Sequence, residues 1–228
     1  MSDYRYASAP CLLADGAPDI IQPVPPTDSL ALSNSLSRVF GIRRDDREST
    51  PDSRFITELA GLFRKAVVEP EIVLERHQRP WANVYLIQYG VVRLFREAVS
   101  GKVAIHHFFS EGDMVWPVFG RTRTTRNTLC LTSVTHCKVW VAGFSAFRAA
   151  IISHGEERWP RFALSLTEEL AELTSMREFR KQTLQAKDRY RLMLQEYPEL
   201  VQRVPDNQLA AWLGVAPATF SRLKHSDG

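Results

Sequence analysis

Apolar side chains along residues 51–67, PDSRFITELAGLFRKAV, fall at Phe55, Ile56, Leu59, Leu62 and Phe63. That recurrence is the stripe of a helix with one buried face, and Pro51, Asp52 and Ser53 ahead of it are start signals, so a helix is predicted there. After residue 68 the period changes. EIVLERHQ, NVYLIQYGVVRLFRE, KVAIHHFF, DMVWPVF and TLCLTSVTHCKVWVAG are short β-branched and aromatic runs, parted by Tyr89-Gly90, Ser100-Gly101 and Glu111-Gly112-Asp113. Such runs at close spacing predict an antiparallel sandwich or small barrel. Beyond Phe144 helical spacing returns, and ERWPRFALSLTEELAELTSMREFRKQTLQAKDRYRLMLQEY has Pro160 near its start and no further breaker before Pro198. Ala163, Leu166, Leu170 and Leu173 step along it by three and four residues, the seam of a coiled coil, until the seam meets Arg177 and Arg180. A long helix on a small β body predicts pairing with a second copy; folding back on its own domain is the alternative. Residues 1–50 are Pro- and Ser-rich, end in RRDDREST, and read as an irregular arm with a short helix near 30–40.

The most tightly patterned stretch is DNQLAAWLGVAPATFSRLK at 206–224. A helix–turn–helix needs a small residue where its helices cross, a residue at ease with positive φ in the turn, and a shared aliphatic core. Ala210 supplies the first, Gly214 the second, and Leu209, Leu213, Val215, Phe220 and Leu223 the third; Pro217 suits the first turn of the second helix. A plain structural αα-corner meets the same requirements. Two features point instead to DNA. The outward face of the second helix, Ala218, Thr219, Ser221, Arg222 and His225, carries no acid and fits a major groove about 12 Å wide. Arg222 is placed to reach O6 and N7 of a guanine, while Thr219 and Lys224 suit phosphates. Tyr197, Pro198, Leu200 and Val201 are expected to pack beneath this unit, with no β-hairpin wing before Pro205.

Composition narrows the class. The chain of 228 residues has a formal charge of +3, and the stretch from Met176 onward holds nine Lys/Arg against six Asp/Glu, the rest balancing at 20 and 20. A basic tail is consistent with phosphate partners. No apolar run spans a membrane and no signal peptide is seen, so a cytoplasmic protein is expected. The three cysteines, Cys11, Cys130 and Cys137, lack metal-ligand spacing, so neither a structural metal nor a disulfide scaffold is expected. No catalytic set, phosphate-cradling Gly loop or metal-ligand motif appears, so no enzymatic activity and no cofactor are expected.

In their order, these pieces resemble the Crp/Fnr family of bacterial transcription regulators. The resemblance covers roughly 51–225 and rests on VYLIQYGVVRLF (84–95), SGKVAIHHFFSEGDMV (100–115) and AKDRYRLMLQEYPELVQRVPDNQLAAWLGVAPATFSRLK (186–224). It implies an α+β chain: an antiparallel β-roll of the jelly-roll type, a long dimerisation helix and a carboxyl-terminal helix–turn–helix. The expected divisions are an arm at 1–50, a cyclic-nucleotide-binding-like β-roll at 51–150, a dimerisation helix at 156–187 and a DNA-binding domain at 188–228. It further implies a homodimer on a palindromic promoter, base and phosphate contacts from Pro217, Ala218, Thr219, Ser221, Arg222, Lys224 and His225, and a contact with RNA polymerase.

Departures from the family pattern matter as much. Nucleotide-binding members carry Gly-Glu-Leu after the Gly-Asp turn and an Arg run about ten residues later. This chain has Trp116-Pro117-Val118 and Asn127-Thr128-Leu129 at those places. Pro117 cannot accept from a ribose hydroxyl, Asn127 carries no charge for a phosphate, and Arg126 lies one position off, on the opposite face of a strand. Cyclic AMP is therefore not the expected effector. A one-residue slip or bulge that returns Arg126, Arg123 or Arg121 to the pocket is the alternative. The expected pocket for an unknown small molecule comprises Trp116, Pro117, Val118, Arg126, Asn127 and Thr128. An iron–sulfur sensor needs four cysteines; His77, His106 and His107 are haem-ligand candidates that read more readily as surface residues on strands, and Cys130 and Cys137 read as buried thiols. Trp116, Trp140 and Trp159 read as packing. The second reading of the whole is a ligand- or partner-binding β-roll scaffold whose terminal helices only pack.

Overall fold

The computed structural model describes residues 11–12, 21–42, 50–77, 79–98, 100–117 and 129–226. Nine strands and eight helices run along the described chain: β1 (Ile21–Pro23), α1 (Pro26–Val39), α2 (Pro51–Leu62), β2 (Arg64–Val68), β3 (Val73–Glu75), β4 (Asn83–Tyr89), β5 (Val92–Glu97), β6 (Val103–Phe109), β7 (Met114–Val115), β8 (Leu129–Ser133), β9 (Cys137–Gly143), α3 (Phe144–Ser153), α4 (Arg158–Thr183), α5 (Ala186–Glu196), α6 (Pro198–Arg203), α7 (Asp206–Leu213) and α8 (Pro217–Ser226). The named strands pair antiparallel in two open sheets, β1-β2-β9-β4-β7 and β3-β8-β5-β6. The architecture is thus a mixed helix and antiparallel-sheet sandwich rather than a closed barrel.

Both sheets are covered on both faces, which explains why the strands read as near-continuous apolar runs. Along β4 side chains alternate: Tyr85 and Ile87 join Val139 and Val141 between the sheets, while Val84 and Leu86 join Trp140 beneath α1, α2 and α3. Along β5 the pattern repeats. Leu94 faces the sandwich interior, and Phe95 joins Ile105, Phe108 and Cys130 under the carboxyl-terminal helices. The result is four layers, helices on sheet on sheet on helices.

Two predicted boundaries are corrected. The 51–67 helix ends at Leu62, because Phe63 turns to φ −80°, ψ 150° and the following residues pair as β2 with β9. The long helix stops at Thr183; Leu184 is extended at φ −107°, ψ 146°, and α5 starts afresh at Ala186 with no Pro or Gly at the break. The helix expected near 30–40 is α1, longer at its amino end.

The turn between β4 and β5 rests on Gly90, at φ +104°. A Cβ there would lie 2.5 Å from Cys137 Sγ and 2.6 Å from the His136 carbonyl oxygen. Gly90→Ala is therefore expected to cost about 2 kcal/mol or more, read as a lowered urea midpoint with unchanged slope. Glu75 makes the other buried strain in the sandwich. Its carboxylate accepts from Asn83 Nδ2 at 2.9 Å and Tyr85 Oη at 3.0 Å, yet burial outweighs these bonds and pushes its pKa up to about 7. The folded state holds a proton that the unfolded chain releases near the ordinary glutamate value of 4.5, so this group's contribution falls as pH rises from about 4.5 to about 7. Glu75→Gln keeps an acceptor for both donors. The gain in urea midpoint from this substitution is expected to be larger at about pH 8 than at about pH 5.

Candidate functional site

The closing helices form as the pattern required. α7 ends on Gly214, left-handed at φ +76°, and the Val215 N–H returns to the Ala210 carbonyl at 3.0 Å. Leu209, Ala210, Leu213 and Phe220 are buried, with Val215 and Leu223 packed against them. Phe220 meets Tyr190 of α5 edge-on at 5.5 Å between ring centres. The opposite face of α8 looks outward: Pro217, Ala218, Ser221, Arg222, Lys224 and His225 are exposed and Thr219 is half-buried. Among the described residues Arg222 bonds only within its own helix, to the Ala218 carbonyl at 3.4 Å and Thr219 Oγ1 at 3.2 Å. Lys224 pairs with Asp206 at 2.9 Å, both side chains about half exposed, an arrangement worth little in water. The outward set is brought together on one polar face.

The other side of this unit is docked on the four-stranded sheet. Trp212 of α7 meets Phe108 of β6 edge-on at 5.3 Å, and Tyr197 meets Trp212 at 5.0 Å. Arg203 grips Glu111 with two bonds, 2.6 and 2.8 Å, and Gln208 reaches Glu71 at 3.3 Å. Glu71 in turn pairs with the buried Arg93 of β5 at 2.7 Å. Of the residues expected beneath the helix pair, Leu200 is buried, Tyr197 and Val201 are half-buried, and Pro198 is exposed. Among the described residues no strand lies between α4 and Pro205.

α4 spans 26 residues and buries only Phe162. Leu164, Leu173, Met176 and Phe179 are exposed at 58, 38, 41 and 60%. Of the seam, Ala163, Leu166 and Leu170 are half-buried. Leu166, Leu170 and Leu173 line a cavity of about 320 Å³ between α4, the carboxyl end of α1 and the sandwich. The seam thus faces its own β body as well as open surface.

That cavity contains Trp116, one of the expected pocket residues. Pro117 is buried beside it but does not line the cavity, and Val118, Arg126, Asn127 and Thr128, with Arg121 and Arg123, lie outside the described residues. Trp116 also packs against Phe144, Trp159 and Phe162 at 6.3, 5.5 and 5.9 Å, so it forms wall and core at once. The described charged residues of the wall are Arg38, Asp113 and Glu169. Trp81 lines the cavity too, and its buried indole N–H has no hydrogen-bond partner among the described residues. Cys130 and Cys137 are buried free thiols, and burial pushes the Cys130 pKa up to about 11, far from the thiolate that redox chemistry needs. His77 contacts Cys130 Sγ at 3.2 Å, while His106 and His107 sit on β6 facing α4.

Sequence reasoning missed Trp212 and Gln208. Each lies on the α7 face left over once the shared core is assigned, and the only signal for a second buried face was the size and apolarity of Trp212.

No family model matches the sequence, and no curated protein does. Solved structures do match in fold. The c-di-GMP-responsive global regulator CLP of Xanthomonas campestris superposes with a TM-score of 0.60 at 16% identity, over 77% of this chain and 91% of its own. FixK2 of Bradyrhizobium japonicum gives 0.60 at 16%, over 71 and 82%. A Crp/Fnr-family regulator of Eubacterium rectale gives 0.59 at 10%, over 77 and 81%. No helix among the described residues is long and apolar enough to cross a membrane. CLP and the Eubacterium rectale protein are described as regulators, and the chain carries the fold that these structures share.

Proposed function

We propose that this protein is a homodimeric, sequence-specific DNA-binding transcription regulator of the Crp/Fnr type. In this reading α7 and α8 are a helix–turn–helix, and α8 enters the major groove. Arg222 reads a guanine edge, Thr219 and Lys224 hold phosphates, and Pro217, Ala218, Ser221 and His225 complete the surface. The observation that carries the reading is the division of α8 into a face anchored by buried Phe220 and an outward, acid-free face with Arg222, Lys224 and His225 exposed. A buried face is common to any surface helix; what favours DNA is that the outward face of α8 carries basic side chains and no carboxylate. With few charged readers, specificity is carried partly by contacts to thymine methyls and by DNA shape.

Dimerisation falls to α4, whose exposed Leu173 and Met176, beside Ala163 and Leu170, leave apolar surface for a second α4. The sandwich then serves as the sensor. Its guest is a polar small molecule, not cyclic AMP, in the cavity walled by Trp116, Trp81, Asp113 and Glu169. A guest there touches α4 and sandwich together, so it shifts the helix that spaces the two readers. The domains of this reading are the arm at 1–50, the sensor at 51–150, the dimer helix at 156–187 with its regular part ending at Thr183, and the reader at 188–228.

Salt dependence of DNA affinity tests the proposal. A dimer neutralising about 6–10 phosphates loses about 10³–10⁵ in affinity between about 50 and 200 mM salt. A flat response, or no DNA binding at low salt, leaves the scaffold reading in its place.

A further inference from the structure

A second cavity, of about 150 Å³, lies on the other side of α4, where the end of that helix meets β6, α5 and α7. Its chemistry is unlike that of the first. Arg177, Arg180, Lys181 and Arg189 all line it, against a single carboxylate, Glu196. Arg180 occupies that carboxylate with two bonds of 2.6 and 2.7 Å. Arg177 donates only to the backbone carbonyls of Ile105 and His106, and Arg189 to those of Leu184 and Leu213. Lys181 makes no hydrogen bond or ion pair among the described residues. Three cations therefore converge with no ion pair among the described residues; Glu178, the carboxylate that acts on Arg177 and Lys181, does not line the cavity.

The same wall holds unpaired polar atoms. The indole N–H of Trp212, a residue only 8% exposed, has no partner among the described residues, and neither do Arg189 Nε and His106 Nε2, all three atoms buried. Trp212 Nε1 and Arg189 Nε are donors left unmade, while His106 Nε2 donates or accepts according to its tautomer. The charge of the recess is carried by the guanidinium and ammonium groups of Arg177, Lys181 and Arg189 that line it. Opposite them, Leu192, Met193 and Leu213 make an apolar wall. A cavity of about this volume accommodates a benzene-sized body.

We propose that this junction cavity binds a small organic anion of about the size of benzoate. Its carboxylate or phosphate group lies toward Lys181, Arg177 and Arg189, and its flat body lies along Leu213 and Leu192. Charge-assisted bonds to arginine and lysine supply the orientation, and burial of the ring supplies the rest. The state of the histidines agrees with this chemistry. Burial, then the neighbouring Arg96, Arg177 and Lys181, brings the His106 pKa down to about 4; burial and Arg177 do the same to His107. The site is thus neutral at its imidazoles and positive at its edges.

Isothermal titration of the full chain at fixed ionic strength tests the proposal, with benzoate, phenyl phosphate, inorganic phosphate and neutral benzyl alcohol as probes. Saturable binding of one benzoate or phenyl phosphate per chain is expected, with the tighter of the two naming the head group. Lys181→Gln, at an exposed position, is expected to weaken it about ten-fold, and Leu192→Trp, which fills the recess, to abolish it. Binding is also expected to raise the pKa values of His106 and His107, followed by the imidazole proton resonances, because an added anion favours the imidazolium. Equal binding of benzyl alcohol, inorganic phosphate binding as tightly as phenyl phosphate, unsaturable heats, or an affinity untouched by Lys181→Gln would each overturn it. No DNA enters the assay, so its failure leaves the assignment of α8 standing.

Discussion

Arg222→Ala is expected to weaken binding to a palindromic site by about 1–3 kcal/mol per half-site, hence about 2–6 kcal/mol for the dimer, or roughly 30-fold to 10⁴-fold. Its fold should be unaffected. The side chain is exposed and, among the described residues, bonds only to Ala218 and Thr219 of its own helix, and a surface change of this kind stays within about 0.5 kcal/mol. Gel-shift titration beside a urea melt separates the two quantities. The loss should be confined to one base pair of each half-site, so substituting that pair in the DNA should cost the wild type what the mutation costs and cost the variant little further. An equal loss on every sequence would instead make Arg222 a phosphate contact.

Phe220→Ala is expected to act on the opposite face with the largest effect on stability. The ring is 2% exposed and stands edge-on to Tyr190, in a cluster that also holds Leu209, Ala210 and Leu213. Emptying such a site costs about 3–5 kcal/mol, a large share of the 5–15 kcal/mol typical of a whole domain. The same cluster runs through Trp212 and Phe108 into the outer face of the four-stranded sheet. A drop in the denaturation midpoint should therefore appear in the fluorescence of the docked helices and come with loss of DNA binding. Should Phe220→Ala melt as the wild type does, the buried anchoring of α8 is wrong.

The parts legible in the sequence were those whose cause is local. Gly214 sits left-handed because a Cβ there is strained, and the Ala210, Leu209 and Phe220 pattern specifies the crossing of α7 and α8. The turns expected at Gly90, Gly101 and Gly112 from their position between apolar runs are present, and all three glycines take positive φ. What could not be read depends on distant partners. Phe63 continues the apolar stripe of α2 by spacing, yet pairing of the next five residues with β9 ends the helix. The break at Leu184 has no breaker residue; it follows from Arg189 and Tyr190 turning α5 onto the α7–α8 pair. The seam of α4 reads as a face for a partner, with packing on its own domain as the alternative, and Leu166 and Leu170 wall a cavity with Trp81, Phe109 and Trp116, residues 50 or more positions away. Likewise the docking of Trp212 on Phe108 joins positions 104 apart, out of reach of any periodicity.

Everything functional in this account converges on paired copies of α8 presenting Arg222 to two grooves on one side of a duplex. Immunoprecipitation of the native protein with its bound DNA, followed by sequencing of that DNA, examines this directly. Enrichment of inverted repeats whose half-site centres lie about 10–10.5 base pairs apart, or a multiple of that, with a guanine common to both halves, is the predicted result. Recovery of DNA with no shared sequence, or of sites without twofold symmetry, would contradict it.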